Sequence, residues 1–282
     1  MTKKIAVIND LSGFGRCSLV AAISVLSSMG TSAYPLPTAV LTAQTGYDSY
    51  YCDDYTDKMD IYIKEWQKLN ASFDGIYAGF LANEAQVDKI LDFLSVFKRK
   101  DTFFLVDPIM GDNGTTHGLF TEGLKRELKL LCREASVITP NLTELCLLTD
   151  ENYEDINAIK EESRLIDVCV KLGRKLINTP NKHIIVTGIS SLRSGEKYLG
   201  NLHITKDTYS FSTFPFIAGS YSGTGDLFAS CIVGGMANNV SLDKSIKKAG
   251  DFIAKAIKNS ALHNVPYNEG VNFEKYLYLL ND

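Results

Sequence analysis

The 282-residue sequence lacks the features that mark several large classes of protein. No apolar run approaches the ~20 residues that a membrane-spanning helix requires. The run from Ile5 to Ile8 near the N-terminus is too short for a secretory signal. The six cysteines include no C-x-x-C pair, so neither a zinc site nor a disulfide-rich scaffold is indicated. We therefore expect a soluble cytoplasmic protein with free thiols.

An excess of positive charge is also missing. Lysine and arginine number 29 against 33 acidic residues, which gives a formal net charge of −4. Because nonspecific binding to nucleic acid or to an anionic membrane needs a concentrated basic surface, we expect neither as the partner. With 45% hydrophobic and 22% charged residues, the composition indicates an ordinary globular core. One domain spanning 1–282 is favoured over two.

Short apolar runs alternate with longer amphipathic stretches along most of the chain. This pattern is typical of βα units wound around a mainly parallel sheet. The predicted strands are 5–8, 75–80, 102–106, 137–139 and 183–187, with antiparallel strands at the sheet edge within 196–214. The predicted helices are 17–29, 57–69, 84–98, 223–238, 242–263 and 273–280, with two more starting near Asn141 and Arg164. The polar and aromatic segment near 38–55 is interpreted as a small lid, or alternatively as an irregular surface excursion.

The glycine motifs of the common nucleotide-binding folds are incomplete or missing. Gly13-x-Gly15-x-x-Ser18 follows a strand as in NAD enzymes, but Ser18 replaces the third glycine. No acidic residue lies between Asp10 and Asp48 to hold a ribose hydroxyl. The pattern G-x-x-x-x-G-K-[ST] does not occur, so any nucleoside triphosphate must bind without a P-loop lysine. A redox enzyme is therefore only an alternative.

The segment Gly223-Thr224-Gly225-Asp226, directly before an apolar helical stretch, carries the most specific chemical signal. Its glycines allow backbone N–H groups to converge at a helix N-terminus, where the helix dipole favours an anion. A carboxylate in the first turn can take a proton from a substrate hydroxyl while the amides stabilise a transferring phosphoryl group. The alternative is that Asp226 only complements the helix dipole, which contributes roughly 0.3–1 kcal/mol.

Two further polar segments, 107–112 and 139–144, each follow a predicted strand. In a parallel sheet such strand ends gather along one crevice, where ligands bind. Asn141 and Glu144 are three positions apart and would share one face of a helical turn. Oxygen ligands of this kind suit Mg²⁺, which is usually held through waters and substrate phosphates. The alternative is a helix-capping arrangement with an acidic third residue.

Together these motifs resemble the ribokinase superfamily and, within it, the pyridoxal and pyridoxamine kinases of vitamin B6 salvage. G-T-G-D at 223–226 is similar to the anion-hole and catalytic-base box of that superfamily. V-D-P-I-M-G-D at 106–112 and I-T-P-N-L-T-E at 138–144 look like the magnesium and nucleotide segments of the B6 branch. L-S-G-F-G-R-C-S, P-L-P-T-A-V-L-T and Q-T-G-Y resemble its substrate half. The resemblance implies a ribokinase-like three-layer α/β/α fold with a mainly parallel central sheet and a small or reduced lid.

The resemblance also implies an activity, namely ATP- and Mg²⁺-dependent phosphorylation of the 5′-hydroxymethyl group of a B6 vitamer by a homodimer. A monovalent cation such as K⁺ is left open. The alternatives are a hydroxymethylpyrimidine kinase of thiamine synthesis and a non-catalytic protein that binds pyridoxal phosphate. Asp226 at the base position argues against the non-catalytic alternative, because a mere binding protein needs no base beside an anion hole.

The resemblance assigns roles to particular positions. Asp226 matches the catalytic base, and the amides of Gly223, Thr224 and Gly225 match the groups that stabilise the moving phosphoryl group. The other matched positions are, for the nucleotide, Asp107, Thr139, Asn141, Glu144, Thr187 and Gly188; for the metal, Asp112, Asn141 and Glu144; and for the vitamer, Asp10, Ser12, Thr45, Tyr47 and Phe80. Many pyridoxal kinases have serine at the position of Asp10 and histidine at that of Gln44, so these two residues bear on specificity.

Overall fold

The computed structural model describes residues 2–217 and 219–281 of the chain. The chain divides into two compact units, the first comprising Met1–Asp107 with Ile217–Asp282 and the second Pro108–Phe216. Strands and helices alternate in both, which confirms the predicted α/β class. Within the described part of the chain, no helix is both long and apolar enough to cross a membrane. That the whole chain acts as one domain stays a prediction.

Strands and helices succeed one another along the chain, with runs of two or three of the same kind. The strands are β1 (Lys4–Ser12), β2 (Ser32–Leu41), β3 (Cys52–Asp54), β4 (Gly75–Ala78), β5 (Phe103–Val106), β6 (Gly111–Asp112), β7 (Thr115–Thr116), β8 (Val137–Ile138), β9 (His183–Arg193), β10 (Glu196–Ile204) and β11 (Tyr209–Pro215). The helices are α1 (Ser18–Ser28), α2 (Thr56–Lys68), α3 (Ala85–Phe97), α4 (Glu122–Glu134), α5 (Leu142–Thr149), α6 (Tyr153–Asn157), α7 (Glu162–Lys175), α8 (Thr224–Ala237) and α9 (Leu242–Leu262).

The sheet of the first unit has the strand order β5-β4-β1-β2-β3. Strands β5, β4, β1 and β2 are parallel, and β3 runs antiparallel to β2. The central strand β1 is buried from Ile5 to Asp10, as expected of a strand covered on both faces. Its register against β2 shifts between Asn9 and Leu11. Such an irregularity re-aims side chains locally, and it occurs where β1 carries two buried polar residues, Asn9 and Asp10.

Helix α8 is the most buried helix of the first unit, because nearly every residue from Asp226 to Gly235 is shielded from solvent. A helix that is apolar all round must be surrounded by protein. It packs closely on α1, since a Cβ at Gly234 would overlap the Met29 side chain at the end of that helix. At the other end of the helix, a Cβ at Gly223 would overlap the Arg16 carbonyl, so the N-terminus of α8 lies against the β1–α1 connection.

In the second unit, β8 pairs with β9 in parallel, while β9, β10 and β11 are antiparallel neighbours. This confirms the antiparallel strands predicted within 196–214, with β11 at the edge. Strands β6 and β7 form a separate two-stranded sheet. Strand β9 extends to Arg193, well past the predicted end at 187, because its second half is exposed on alternate residues and pairs with β10.

Several elements differ from the sequence prediction; the short elements β3, β6, β7 and α6, for example, were not predicted. Strand β2 was not predicted, because it contains Pro35 and Pro37. It pairs with β3 only over Ala39–Leu41. Both prolines precede that stretch, so their lack of an N–H removes no hydrogen bond to β3. Helix α4 was also not predicted, although its buried leucines recur at helical spacing. The segment predicted as a helix over 273–280 is a 3₁₀ helix, Glu274–Leu280. Within the segment near 38–55, residues 42–51 and Tyr55 lie outside regular structure.

Candidate active site

The first unit presents an unusual helix start at α8. Gly223 is the N-cap, with φ +78°, and a Cβ there would overlap the backbone carbonyl of Arg16. No side chain caps the helix. The Thr224 hydroxyl instead donates to the Tyr221 carbonyl oxygen at 3.0 Å. Since the first amides of any α-helix have no intrahelical acceptor, this glycine-lined start suits an anion.

Asp226 is the third residue of α8 and is buried, with 7% of its surface exposed. Its Oδ1 accepts a hydrogen bond of 3.0 Å from Asn9 Nδ2, and the Ser18 N–H also donates to its carboxyl group. Burial raises the pKa of this carboxyl to about 6, and the negative charge of Asp10 adds to the rise. At neutral pH the group is therefore mostly ionised and can accept a proton, with a pKa close to the pH at which a general base works best.

Asp10 provides a second buried carboxyl on β1. Its Oδ2 accepts from the Ser12 hydroxyl at 2.7 Å, and the Ser18 hydroxyl also donates to it. Burial raises the pKa of Asp10, and these hydroxyl groups oppose the rise. Burial and the charges of Asp226 and Asp10 raise the pKa of the Cys17 thiol to about 12, so Cys17 is a neutral thiol. The structure thus confines two carboxyl groups to one interior region.

Ser18 connects the two carboxyl groups, through its N–H to Asp226 and its hydroxyl to Asp10. Its φ of +52° lies in the left-handed region that favours glycine. This explains why the segment looks like a dinucleotide fingerprint whose third glycine is missing. A left-handed position is occupied by a residue whose hydroxyl contacts Asp10. The sequence singled out Ser18 only as a departure, and no pattern revealed this role.

Among the residues matched to the vitamer, Phe80 is tied directly to β1. Its N–H donates to Asn9 Oδ1 at 2.9 Å, and its carbonyl oxygen accepts from the Thr38 hydroxyl at 2.8 Å. Tyr47 lies on the loop 42–51. Its ring packs edge to face on the ring of the exposed Phe14, with 5.8 Å between the ring centroids. Thr45 lies half-buried on the same loop. Two aromatic side chains, Phe14 and Tyr47, thus form an edge-to-face pair on the loops of this unit.

A C-terminal segment that was not predicted to be functional supports this loop. The Gln44 amide is buried; its Nε2 donates to the Asn268 carbonyl oxygen at 3.0 Å and to the Ser222 hydroxyl at 3.3 Å. Its Oε1 accepts from the Gly46 N–H at 2.7 Å. The Ser222 N–H donates to the Tyr267 carbonyl oxygen at 3.0 Å. Gln44 therefore acts as a brace between the loop and the residue before the glycine box, which a single sequence could not reveal.

The second unit contains a helix start of the opposite kind, at α5. Asn141 Oδ1 accepts from the Glu144 N–H at 3.0 Å, and Glu144 Oε2 accepts from the Asn141 N–H at 2.8 Å. Glu144 Oε1 accepts from the Met110 N–H at 3.1 Å, and Asn141 Nδ2 donates to the Gly111 carbonyl oxygen at 2.8 Å. The capping arrangement that the sequence left open as an alternative is therefore present in full.

These residues constrain how a metal ion could be held. Asp112 is exposed, and its carboxylate accepts from the N–H and the side-chain amide of Asn113 at 2.9 and 2.8 Å. Nowhere in residues 2–217 and 219–281 do three or more His, Cys, Asp or Glu side chains form a metal-binding group. Both oxygens of Glu144 accept a backbone N–H. The set fits Mg²⁺ held through water and substrate phosphates rather than in a protein cage.

The remaining predicted positions divide between the units. In the second unit, the Thr187 N–H donates to the Pro140 carbonyl oxygen at 2.9 Å, which joins β9 to the segment that leads into α5. Gly188 is exposed with φ +70°, and its N–H donates to Asn201 Oδ1 at 3.2 Å. Thr139 is buried. In the first unit, Asp107 is buried and its Oδ2 lies 3.7 Å from the place of a Cβ on Gly225, beside the glycine box.

Comparison with known proteins gives a consistent result. Residues 15–272 match the family model described as phosphomethylpyrimidine kinase. A hydroxymethylpyrimidine/phosphomethylpyrimidine kinase from Aquifex aeolicus is 28% identical over 200 residues, which cover 69% of this chain and 72% of the relative. The pyridoxal kinase PdxY from Pasteurella multocida is 30% identical over 195 residues, which cover 66% of this chain and 62% of the relative.

A solved structure is similar over almost the whole chain. It is a Bacteroides thetaiotaomicron protein, provisionally named a phosphomethylpyrimidine kinase, in a crystal form with pyridoxal. The two chains are 35% identical and superpose with a TM-score of 0.91, covering 99% of this chain and 96% of that one. The predicted α/β fold with a mainly parallel sheet flanked by helices is confirmed by this similarity.

Proposed function

The chain belongs to the phosphomethylpyrimidine kinase family, and from that premise we propose that it transfers the γ-phosphoryl group of ATP to the 5′-hydroxymethyl group of a vitamin B6 vitamer. The observation that carries this proposal is the state of Asp226. It is a buried carboxyl with a pKa of about 6, in the first turn of a helix whose N-terminus is lined by glycine and left without a side-chain cap. A base beside an anion cradle is what phosphoryl transfer to an alcohol requires.

The chemistry of the first unit follows from this placement. Asp226 takes the proton of the hydroxymethyl group as its oxygen attacks, and the amides of Gly223, Thr224 and Gly225 stabilise negative charge on the phosphoryl group. Asp10 and Ser12 contact the polar edge of the vitamer ring. Tyr47 and Phe80 pack against its face, since flat aromatic surfaces suit a heterocycle. Thr45 lies on the same loop and completes the vitamer-binding set.

The second unit supplies the proposed nucleotide-binding groups. Asn141, Glu144 and Asp112 would hold Mg²⁺ through water, and the ion would neutralise phosphate charge. Thr139, Thr187 and Gly188 contact the nucleotide. Asp107, which the resemblance also matches to the nucleotide, lies beside the glycine box of the first unit. Binding of K⁺, assembly as a homodimer and a cytoplasmic location remain predictions.

Hydroxymethylpyrimidine phosphorylation is the second candidate function, because the Aquifex relative is named a hydroxymethylpyrimidine/phosphomethylpyrimidine kinase and the matching family model is described as phosphomethylpyrimidine kinase. Asp10 is the residue on which the two candidates depend. A carboxyl at this position can pair with an aminopyrimidine edge, or with the hydroxyl or ring nitrogen of a pyridine. The B6 vitamer is preferred because the Bacteroides structure, similar over 99% of this chain, was obtained with pyridoxal.

The deciding experiment detects phosphorylated product by mass after incubation with Mg-ATP and each B6 vitamer or hydroxymethylpyrimidine separately. We expect product from a B6 vitamer, and a turnover lower by roughly 10²–10⁴ in Asp226→Asn, because the general base is removed. Retained ATP binding in the variant, measured by calorimetry, separates loss of the base from loss of the fold.

Each other outcome has a definite meaning. Product from hydroxymethylpyrimidine alone would establish the second candidate. Undiminished turnover in a folded Asp226→Asn variant would remove Asp226 from the mechanism. Binding of pyridoxal phosphate without product from any acceptor would make the protein a non-catalytic binder.

A further inference from the structure

Asn9 is a polar residue in the interior of the first unit for which the sequence indicated no role. It lies on β1 at the register irregularity and is fully buried. Buried side-chain amides are costly unless their hydrogen-bonding groups are paired, so a residue of this kind usually fixes the position of its partners. The partners of Asn9 are the candidate base and the backbone of a residue matched to the vitamer.

The hydrogen bonds of Asn9 determine which way its amide points. Oδ1 accepts from the Phe80 N–H at 2.9 Å and from the Asp10 N–H at 3.0 Å. Because two N–H groups point at this atom, it must be the oxygen, and the other end must be the NH₂ group. That group donates to Asp226 Oδ1 at 3.0 Å. The orientation of the amide is thus fixed by its surroundings.

The space for this arrangement is provided by Gly79. A Cβ at that position would lie 2.6 Å from Asn9 Nδ2, closer than side-chain carbons approach in proteins. The glycine before Phe80 therefore allows the amide to lie against the backbone while it reaches the carboxyl group. The same contact brings the backbone of the β4–α3 connection next to β1.

We propose that Asn9 is a positioning residue for the base: its amide holds one oxygen of Asp226 and the Phe80 backbone in a single arrangement. This inference deepens the proposed function and rests on it for the roles of Asp226 and Phe80. Asn9 acts through these residues and does not touch the reacting atoms. A base held in this way is oriented before the substrate binds.

The charges of the groups around Asp226 act on its pKa as well, so the test must separate their effect from that of the Asn9 amide. Asp10 on β1, Cys17 before α1, Tyr77 on β4 and Asp107 after β5 are the titratable groups of this interior region. They are all acidic or neutral, so none of them stabilises the ionised base by opposite charge. Hydrogen-bond donors such as the Asn9 amide are therefore the means by which the carboxylate is stabilised.

The main test is Asn9→Asp, which keeps an oxygen for the two backbone N–H groups but replaces the donor to Asp226 by a second acid. We expect kcat to fall about tenfold or more, because the base loses its fixed orientation. The acidic limb of the kcat/KM profile should move to higher pH by about one unit, since an N–H donor is exchanged for a like charge. The vitamer KM should change less than about twofold, because the Phe80 N–H keeps its acceptor.

Two further variants distinguish positioning from a merely structural role. Asn9→Ala removes both functions of the amide, so the vitamer KM should rise in addition to the shift of the acidic limb. Asn83→Asp is the matched control. Asn83 Nδ2 donates to Asp54 Oδ2 at 2.6 Å, so this variant removes an amide-to-carboxylate hydrogen bond elsewhere in the same unit. It should leave the acidic limb and the KM unchanged.

A direct measurement keeps the inference independent of the proposed function. In protein labelled with ¹³C at the aspartate carboxyl groups, the resonance that disappears in Asp226→Asn identifies Asp226, and its pKa is followed by NMR. An unchanged Asp226 pKa and an unchanged kcat in folded Asn9→Asp would overturn the inference. If Asn9→Asp does not fold, Asn9→Ser, which retains an acceptor, is held to the same criterion. Wild-type protein without kinase activity would refute the proposed function, and the NMR titration would still decide the role of Asn9.

Discussion

Helices α8 and α5 begin with the same spacing of residues but use it in opposite ways. In both, an acidic residue is the third of the helix, Asp226 after Gly223 and Glu144 after Asn141. In α5 the acid turns back to its own N-cap and accepts backbone N–H groups with both oxygens. In α8 the N-cap has no side chain, and the acid is directed to β1. One helix start is satisfied by its own residues, and the other leaves its amides to a ligand.

The electrostatic consequence is that one acid stabilises the fold and the other destabilises it. Glu144 is buried, and both of its carboxylate oxygens accept a backbone N–H. Asp226 is buried beside another carboxyl, and its pKa is raised to about 6. A carboxyl whose burial lowers the stability of the folded protein is a better candidate for catalysis than one whose hydrogen bonds stabilise it. The following predictions test this difference, from the largest expected effect to the smallest.

Gly223→Ala tests whether the start of α8 depends on the absence of a side chain. The added Cβ would overlap the Arg16 carbonyl, and alanine is strained at the φ of +78° that Gly223 adopts. We therefore expect the unfolding free energy to fall by about 3 kcal/mol and phosphoryl transfer to be lost. Gly195→Ala is the control, because Gly195 has φ +84° with open space around it and should cost about 1–2 kcal/mol from backbone strain alone. Equal losses in urea denaturation would show that the close approach to Arg16 is unimportant.

Glu144→Gln tests the satisfied helix start. A glutamine has one oxygen, so its NH₂ group would face a backbone N–H, and we expect a loss of about 1–3 kcal/mol in urea denaturation. The Mg²⁺ concentration for half-maximal turnover should also rise. Thr121→Ala, which removes the N-cap of α4 in the same unit, should cost about 0.5–2 kcal/mol without a change in the Mg²⁺ requirement. An unchanged metal titration in Glu144→Gln would contradict the metal assignment.

Asp226→Asn should raise the unfolding free energy at neutral pH, whereas Glu144→Gln should lower it. The pKa of Asp226 is about 6 in the folded protein, against 3.8 for an ordinary Asp. The wild type therefore loses stability as the pH rises from about 3.8 to about 6, and the loss is complete above that range. We expect the variant to be more stable than the wild type by about 1–3 kcal/mol at pH 7.5, at ~1.4 kcal/mol for each pKa unit, and equal to it near pH 3.5. Thermal unfolding at both pH values checks this, and a less stable variant at pH 7.5 would refute the comparison with Glu144.

Ser18→Gly should separate strain from function at the β1–α1 connection. Glycine adopts φ +52° without the strain that serine carries, so we expect a gain of up to about 1 kcal/mol in unfolding free energy. The vitamer KM should rise a few-fold, because Asp10 loses a hydroxyl donor. Asn70→Gly, at φ +51° after α2, should give a similar gain with no change in KM. A raised KM in both variants would mean that Ser18 has no particular role.

Much of the fold could be predicted from hydrophobic periodicity. Helices α1, α2, α3, α8 and α9 begin and end within one or two residues of the prediction. Strand β2 was not predicted because Pro35 and Pro37 are signals of irregular structure, and their tolerance depends on the limited pairing with β3. The 3₁₀ helix Glu274–Leu280 was predicted as a helix because both forms place apolar residues three or four apart.

The residues of the candidate site could be predicted where a local sequence motif contains them. They could not be predicted where their role depends on contacts with residues that are distant in the sequence. Asp226, Asn141 and Glu144 follow from local spacing, although spacing alone left the capping alternative open for Glu144. The positioning role of Asn9 and the bracing role of Gln44 could not be recognised, since the partners Asp226, Phe80 and Ser222 lie more than 70 positions away along the chain. A single sequence contains no record of such partners.

The sequence by itself determined the α/β alternation, the start of α8 and the position of an acid in its first turn, because periodicity and glycine chemistry are local properties. Only the tertiary structure decided which of two equally spaced acids is satisfied by its own helix. Burial, the neighbouring Asp10 and the donors of Asn9 and Ser18 are brought to Asp226 by folding, and they set its pKa. Electrostatic environment depends on what surrounds a group in space, and that is fixed only when distant segments pack together.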